Sequence, residues 1–131
     1  MELTALIGTT HTESWTVTHD RLASSMKSGL VEVFATPCMI ALMEAACAAL
    51  VQPHLPDGVT TVGTLVNVTH LAPTPEGAAV RATVELTETD GRRFAFRVQA
   101  WDEAGLIGEG AHERCSVKME RFAEKAAARR G

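Results

Sequence analysis

The chain has little of what several common sites require. Its three cysteines, Cys38, Cys47 and Cys115, are odd in number and lack Cys-x-x-Cys or metal-finger spacing. A disulfide framework and a structural zinc site are therefore not expected. There is no His-x-x-x-His, His-Glu-x-x-His or carboxylate cluster, so no metal or other cofactor is expected. A Gly-x-Ser-x-Gly elbow is also missing, and Ser24-Ser25 sits in an unpatterned stretch. The net charge of -4 and pI near 5.7 argue against a nucleic-acid partner, whose binding surfaces are normally basic. The N-terminus, "MELTALIGTTHTESW", has no basic segment leading into an apolar core, so no secretory leader is expected. The one apolar helix candidate is shorter than the roughly 20 residues of a comfortable membrane span, and no membrane contact is expected. Two of the cysteines lie in or beside that apolar run, as small hydrophobes do. Free cysteines of this kind fit a reducing cytoplasm.

What is present fits one globular domain over residues 1–131, with 46% apolar and 21% charged residues. "HTESWTVTHD" alternates as a strand through Trp15 and Val17, and a polar loop follows from Asp20 to Val33, with a helical turn expected near "RLASSM". Thr36-Pro37 marks a helix start, with Thr36 as N-cap and Pro37 at the first helical position. Pro53 and "PDG" end that helix. Beyond Gly58 the period is two. Val62, Val66, Val68 and His70 share a strand face, and Val80 to Leu86 alternate with polar residues. Asp90-Gly91 signals a hairpin, "DEAG" turns into a last strand from Leu106 to Lys118, and residues 119–131 read as a helical tail on a core of 11–118. The order is one strand, a loop, one apolar helix and four antiparallel strands: α+β, with about five strands wrapped around a long central helix. A single sheet leaves such a helix partly uncovered, so a second copy is expected to complete its burial.

The run "FATPCMIALMEAACAALV" holds one ionisable carboxylate, Glu44, whose neighbours three and four residues away are Ile40, Ala41, Cys47 and Ala48. A lone acid in apolar surroundings is costly unless it is paired or its pKa shifts, so Glu44 serves either chemistry or a buried ion pair with an arginine. His70 ends a strand just before a Pro-rich turn. Arg114 shares a strand face with Gly108, Gly110 and His112, and alternate glycines on one face imply close approach of a backbone or ligand. Gly63 interrupts a β-branched strand and marks a bulge or a contact site. Cys38, near a helix N-terminus, is a candidate for a lowered thiol pKa. Lys125, Arg129 and Arg130 read as a solvated helix end, with contact to a ligand phosphate as the lesser alternative.

Three blocks, "EVFATPCMIALMEAAC", "VGTLVNVTHLAPTPEG" and "IGEGAHERCSV", occur in order and together resemble the fluoroacetyl-CoA thioesterase family of hot-dog proteins. The resemblance runs from about Trp15 to Phe122. It implies a hot-dog fold completed by dimerisation and hydrolysis of an acyl-CoA, with CoA present only as part of the substrate. It also implies a catalytic set of Thr36, Glu44 and His70, with Gly63 and Arg114 in the same site. The fluoroacetyl-specific member has an aromatic lid before the helix. Here residues 20–33 contain no aromatic before Phe34, which leaves Leu30 foremost and Phe34 beside it as acyl contacts. A general or different small acyl-CoA is the expected substrate.

Glu44 is then nucleophile or general base. Thr36, at a helix N-terminus with free N–H groups, lies where a thioester oxygen could be held, and His70 orients the acyl group or moves a proton. Arg114 has two candidate partners, Glu44 and the CoA phosphates. Thr36 and Glu44 are eight residues apart, roughly 12 Å along a helix axis, too far for a direct hydrogen bond within one chain. A homodimer with composite sites resolves this. A non-catalytic acyl-CoA-binding module and an enoyl-CoA hydratase are the rival readings.

Overall fold

The alternating segments pair as one antiparallel sheet in a computed structural model that describes residues 2–131. Strand β1 (Thr10–Thr16) precedes helix α1 (Thr36–Val51). Strands β2 (Val59–His70), β3 (Ala79–Thr89), β4 (Arg93–Asp102) and β5 (Gly105–Lys118) follow, and helix α2 (Met119–Ala128) ends the chain. In space the order is β1-β3-β4-β5-β2, so β1 and β2 are the two edges. The hairpin at Asp90-Gly91 is closed by the Asp90 carboxylate, which accepts from the N–H groups of Arg92 and Arg93 at 2.9 and 2.8 Å. Asp102 closes the "DEAG" turn in the same way and also accepts from the buried Thr74 hydroxyl.

Helix α1 lies against the sheet. Cys38, Met39, Leu42, Met43, Ala46, Cys47, Leu50 and Val51 recur as pairs every four residues and are buried with Phe94, Phe96 and Leu86. Its other side, including Ile40, Ala41, Glu44, Ala45, Ala48 and Ala49, is half-buried or exposed. With the terminal turn Gln52–His54, the helical segment reaches 19 residues and is long and apolar enough to cross a membrane. The expectation that it is too short does not hold. Its place in this chain follows from packing, since eight residues of α1 are buried.

Three local features differ from expectation. The residue at the N-cap position is Ala35, and Thr36 and Pro37 both lie in the first turn, because the Thr36 hydroxyl is engaged by His70 and not by the helix backbone. Helical structure before α1 begins earlier than expected, with a 3-10 turn over His19–Arg21. Leu22 then bridges to Phe34 in extended conformation, and the turn expected near "RLASSM" follows, where the Met26 N–H donates to the Leu22 carbonyl at 3.0 Å. The third concerns β2, where a bulge falls between Gly63 and Leu65. Strict alternation puts Val62 with Val66, Val68 and His70. The bulge reverses the phase, so Gly63 (opposite Arg114) joins Val66, Val68 and His70 (opposite His112, Gly110 and Gly108) on the helix side.

Close backbone approach explains the glycines of β5. A Cβ at Gly108 would lie 2.5 Å from the Met39 sulfur, and one at Gly110 would overlap the carbonyl of Asn67 on β2. Gly110→Ala is therefore expected to cost about 3 kcal/mol or more, as a backbone overlap relieved only by spreading β2 from β5. The urea unfolding midpoint measures this. An unchanged midpoint would mean that the two strands are not held at this distance.

Candidate active site

The expected site residues fall into two groups on one chain. At the start of α1, the Thr36 hydroxyl and His70 Nδ1 are 2.8 Å apart, in a cavity of about 280 Å³ whose wall includes Ala23, Ser28, Phe34 and Leu71. Two turns further along α1, Glu44 faces Arg114, His112, Thr61 and Gly63. No hydrogen bond joins the two groups among the described residues.

Arg114 organises the second group. It is buried, and its Nε–H donates to Thr61 Oγ1 at 2.8 Å while Nη2–H donates to the Thr61 carbonyl at 2.9 Å. Nη1–H is shared between His112 Nε2 at 3.2 Å and Glu44 Oε2 at 3.5 Å. Burial pushes the arginine pKa below its ordinary value, and Glu44 opposes this. Of its two candidate partners, Arg114 faces Glu44 in this chain, with Nη1 3.5 Å from Oε2.

His112, which sequence reasoning noted only as a neighbour on the Arg114 face, is part of this network. Its Nδ1–H donates to the Leu65 carbonyl at 2.8 Å, so Nε2 is left as the acceptor for Arg114. Burial, then the Arg114 charge, lower its pKa, with the Leu65 carbonyl working the other way. The ring is neutral, and its 3.9 Å approach to Glu44 is no ion pair. Gly63 makes room for the carboxylate, since a Cβ there would stand 2.5 Å from Glu44 Oε2. Glu44 itself is not enclosed by apolar groups as expected. Its side chain is 40% exposed in the single chain, on the uncovered side of α1, with one oxygen turned to Arg114.

His70 is held differently. Burial lowers its pKa, opposed by the backbone of Ala72. Its Nε2 is the one buried side-chain nitrogen or oxygen without a partner among the described residues. Of the other expected contacts, Phe34 has no exposed surface and belongs to the core, while Leu30 is 96% exposed at the tip of its loop. Cys38 lies beside Thr36, but burial raises its thiol pKa, contrary to the expected lowering, and Cys47 is raised further by the same cause. Neither is an activated nucleophile.

Both histidines have folded-state pKa values below the ordinary 6.5. Above that value both states of the chain are neutral at these positions and the full stability is present. As pH falls through it, the unfolded chain takes up protons that the folded chain resists, and stability is lost. The melting temperature is expected to fall between about pH 7 and pH 5, and the slope to flatten when His112→Gln and His70→Gln are combined. An unaltered slope in the double variant would assign the loss to other groups.

Residues 17–120 match the family described as fluoroacetyl-CoA-specific thioesterase, FlK. The fluoroacetyl-CoA thioesterase of Streptantibioticus cattleyicolor is 46% identical over 94 residues, which are 72% of this chain and 68% of that protein. A solved structure of the fluoroacetyl-CoA thioesterase FlK superposes with a TM-score of 0.90 at 36% identity, covering 93% of this chain and 95% of the other. A hot-dog-like protein from Thermanaerovibrio acidaminovorans superposes with a TM-score of 0.87 at 25% identity, over 100% and 98% of the two chains. The matched span takes in all of β2 to β5, α1, and both groups of polar residues. The chain belongs to the fluoroacetyl-CoA-specific thioesterase family and has its hot-dog fold.

Proposed function

We propose that this protein hydrolyses a small acyl-CoA to the free acid and CoA in the cytoplasm. It does so as a homodimer of hot-dog domains (core 11–118, tail 119–131) whose two sites are each built from both subunits. The observation that carries the composite site is the split itself. Thr36 and His70 stand at one end of α1, and Glu44 with Arg114 stands about 12 Å further along the same axis. The uncovered side of α1 and the unpaired edge of β2, where Leu65 and Val66 are exposed, supply a surface for the second copy.

In this reading Arg114 holds one oxygen of Glu44, and the other attacks the thioester carbon or takes a proton from an attacking water. The carbon–sulfur bond breaks and the electron pair leaves with the CoA sulfur. On the first route water then cleaves the acyl–Glu44 anhydride, and on the second the proton held by Glu44 passes to the departing thiolate. With the Thr36 hydroxyl donating to Nδ1, neutral His70 carries its proton on Nε2, the atom left without a partner. The acyl oxygen would satisfy that donor as negative charge develops on it, alongside the free N–H groups of the first turn of α1. Gly63 leaves room for the Glu44 carboxylate to sit against Arg114. Leu30, the most exposed large hydrophobic of the loop before α1, covers the acyl group from above.

Thiol release from a panel of short acyl-CoAs tests the reaction. Glu44→Gln, which keeps size and removes the charge, is expected to lower kcat by about 10³-fold. Tight acyl-CoA binding without thiol release would make this a binding module, and a changed double bond would make it a hydratase. With no aromatic side chain in its loop, the enzyme is expected to favour fluoroacetyl-CoA over acetyl-CoA by less than about tenfold.

Complementation tests the shared site. Thr36→Ala and Glu44→Gln chains, each impaired alone, are mixed by unfolding and refolding together. Half of the dimers are then mixed, each with one intact composite site, and activity returns to about a quarter of the wild type. Sites contained in one subunit would show no recovery.

A further inference from the structure

Arg114 is buried with its N–H groups turned to Thr61, His112 and Glu44, so the anionic end of a CoA thioester is sought among the exposed cations. Eleven other lysines and arginines remain of the 12 in the sequence. Arg93 and Arg97 pair with Glu113 and Glu85, and Arg21 and Arg81 lie over Trp15 and Trp101. Four more, Arg92, Lys118, Arg121 and Lys125, converge on one cavity of about 410 Å³ between the end of β5 and the first turns of α2. Among the described residues none of the four is in an ion pair, and no acidic side chain lines the cavity. Phe122, 44% exposed, forms part of its wall. In a chain of net charge -4, four unpaired cations around an open aromatic ring make an anion site with a stacking surface.

The register of β2 and β5 connects this cavity to Glu44. Val59 pairs with Lys118, Thr61 with Ser116 and Gly63 with Arg114, three rungs that follow one another on the same face of the strand pair. Val59 and Ser116 line the cavity, and Gly63 touches Glu44. Four residues of strand separate the two ends, about 13 Å at the usual rise. The pantetheine arm between thioester sulfur and diphosphate extends to about 15 Å by ordinary bond lengths.

We propose that this cavity is the subsite for the phosphorylated nucleotide of CoA. Arg92, Lys118, Arg121 and Lys125 take the phosphates and Phe122 stacks on the adenine, with the arm spanning the distance to the exposed side of Glu44. The proposal rests on the thioesterase reading for what the arm delivers, and its test separates the two.

The experiment compares an acyl-CoA, its 3′-dephospho form and the matching acyl-pantetheine as substrates. The wild type is expected to prefer the full CoA ester. Arg121→Ala combined with Lys125→Ala should erase about tenfold or more of that preference through KM, in line with the loss of charge-assisted bonds to phosphate. Arg129→Ala with Arg130→Ala, two cations outside the cavity, should retain the preference. An equal fall in that pair would make the effect one of overall charge and overturn the subsite. So would a cavity variant that loses activity on both esters alike. If the wild type cleaves neither ester, the thioesterase reading fails while the cavity is still decided by calorimetry with adenosine 3′,5′-bisphosphate. Binding weakened by the cavity variant upholds the subsite. No binding to the wild type, or binding of inorganic phosphate with equal strength, overturns it.

Discussion

A buried guanidinium sets the terms for the interior of this protein. Arg114 is buried, and its polar contacts come from three elements: Thr61 from β2, His112 from its own strand, Glu44 from α1. Removing one partner of a buried charge typically costs 3–5 kcal/mol, so these residues constrain one another strongly. Glu44 is thus placed in the most apolar helix of the chain because the cation it faces is fixed across the sheet. Gly63 is bare because a Cβ would displace the carboxylate. His112 is neutral because its Nδ1–H is fixed on Leu65 and its other nitrogen receives Arg114.

The same helix has one side left uncovered in a single copy. Pairs of buried residues every four positions pin α1 to the sheet, and the intervening positions are mainly alanine. Small side chains allow another backbone to come close, and an edge strand of 12 residues beside them offers unpaired hydrogen-bonding groups. Glu44 lies on this open side. In the proposed dimer this carboxylate, 40% exposed in the single chain, would be enclosed where a second copy covers α1, and water exclusion would accompany assembly.

Most of the architecture was legible because period two and a four-residue apolar repeat are local signals. Asp90-Gly91 and the "DEAG" turn fell where their side chains close the backbone. What failed were places where a distant partner decides. Alternation cannot show that a bulge after Gly63 reverses the face of β2, although a lone glycine among β-branched residues was the available hint. Thr36 looked like a cap because its sequence context is that of a cap, yet His70, 34 residues on, takes its hydroxyl. His112 was missed as a site residue for a related reason. Its signal was present in the alternation Gly108, Gly110, His112, Arg114, where two large polar groups follow two bare positions on a face turned toward an apolar helix. Such groups require partners across the gap, and one of them had to be Glu44.

Charge is distributed according to the same division. In the interior, a single cation is spent on orienting a single carboxylate, and the arginines at Glu85 and Glu113 are matched across strands. The unmatched cations gather at the end of β5 and the start of α2, on a chain that is otherwise acidic. A polyanionic substrate approaching such a surface is repelled over most of it and attracted at one place, within a screening length of about 8 Å at physiological salt. Orientation follows from this asymmetry. With its phosphates held at the proposed subsite, a thioester would reach the exposed side of Glu44 from one direction. The polar interior then has to recognise just the few atoms that react.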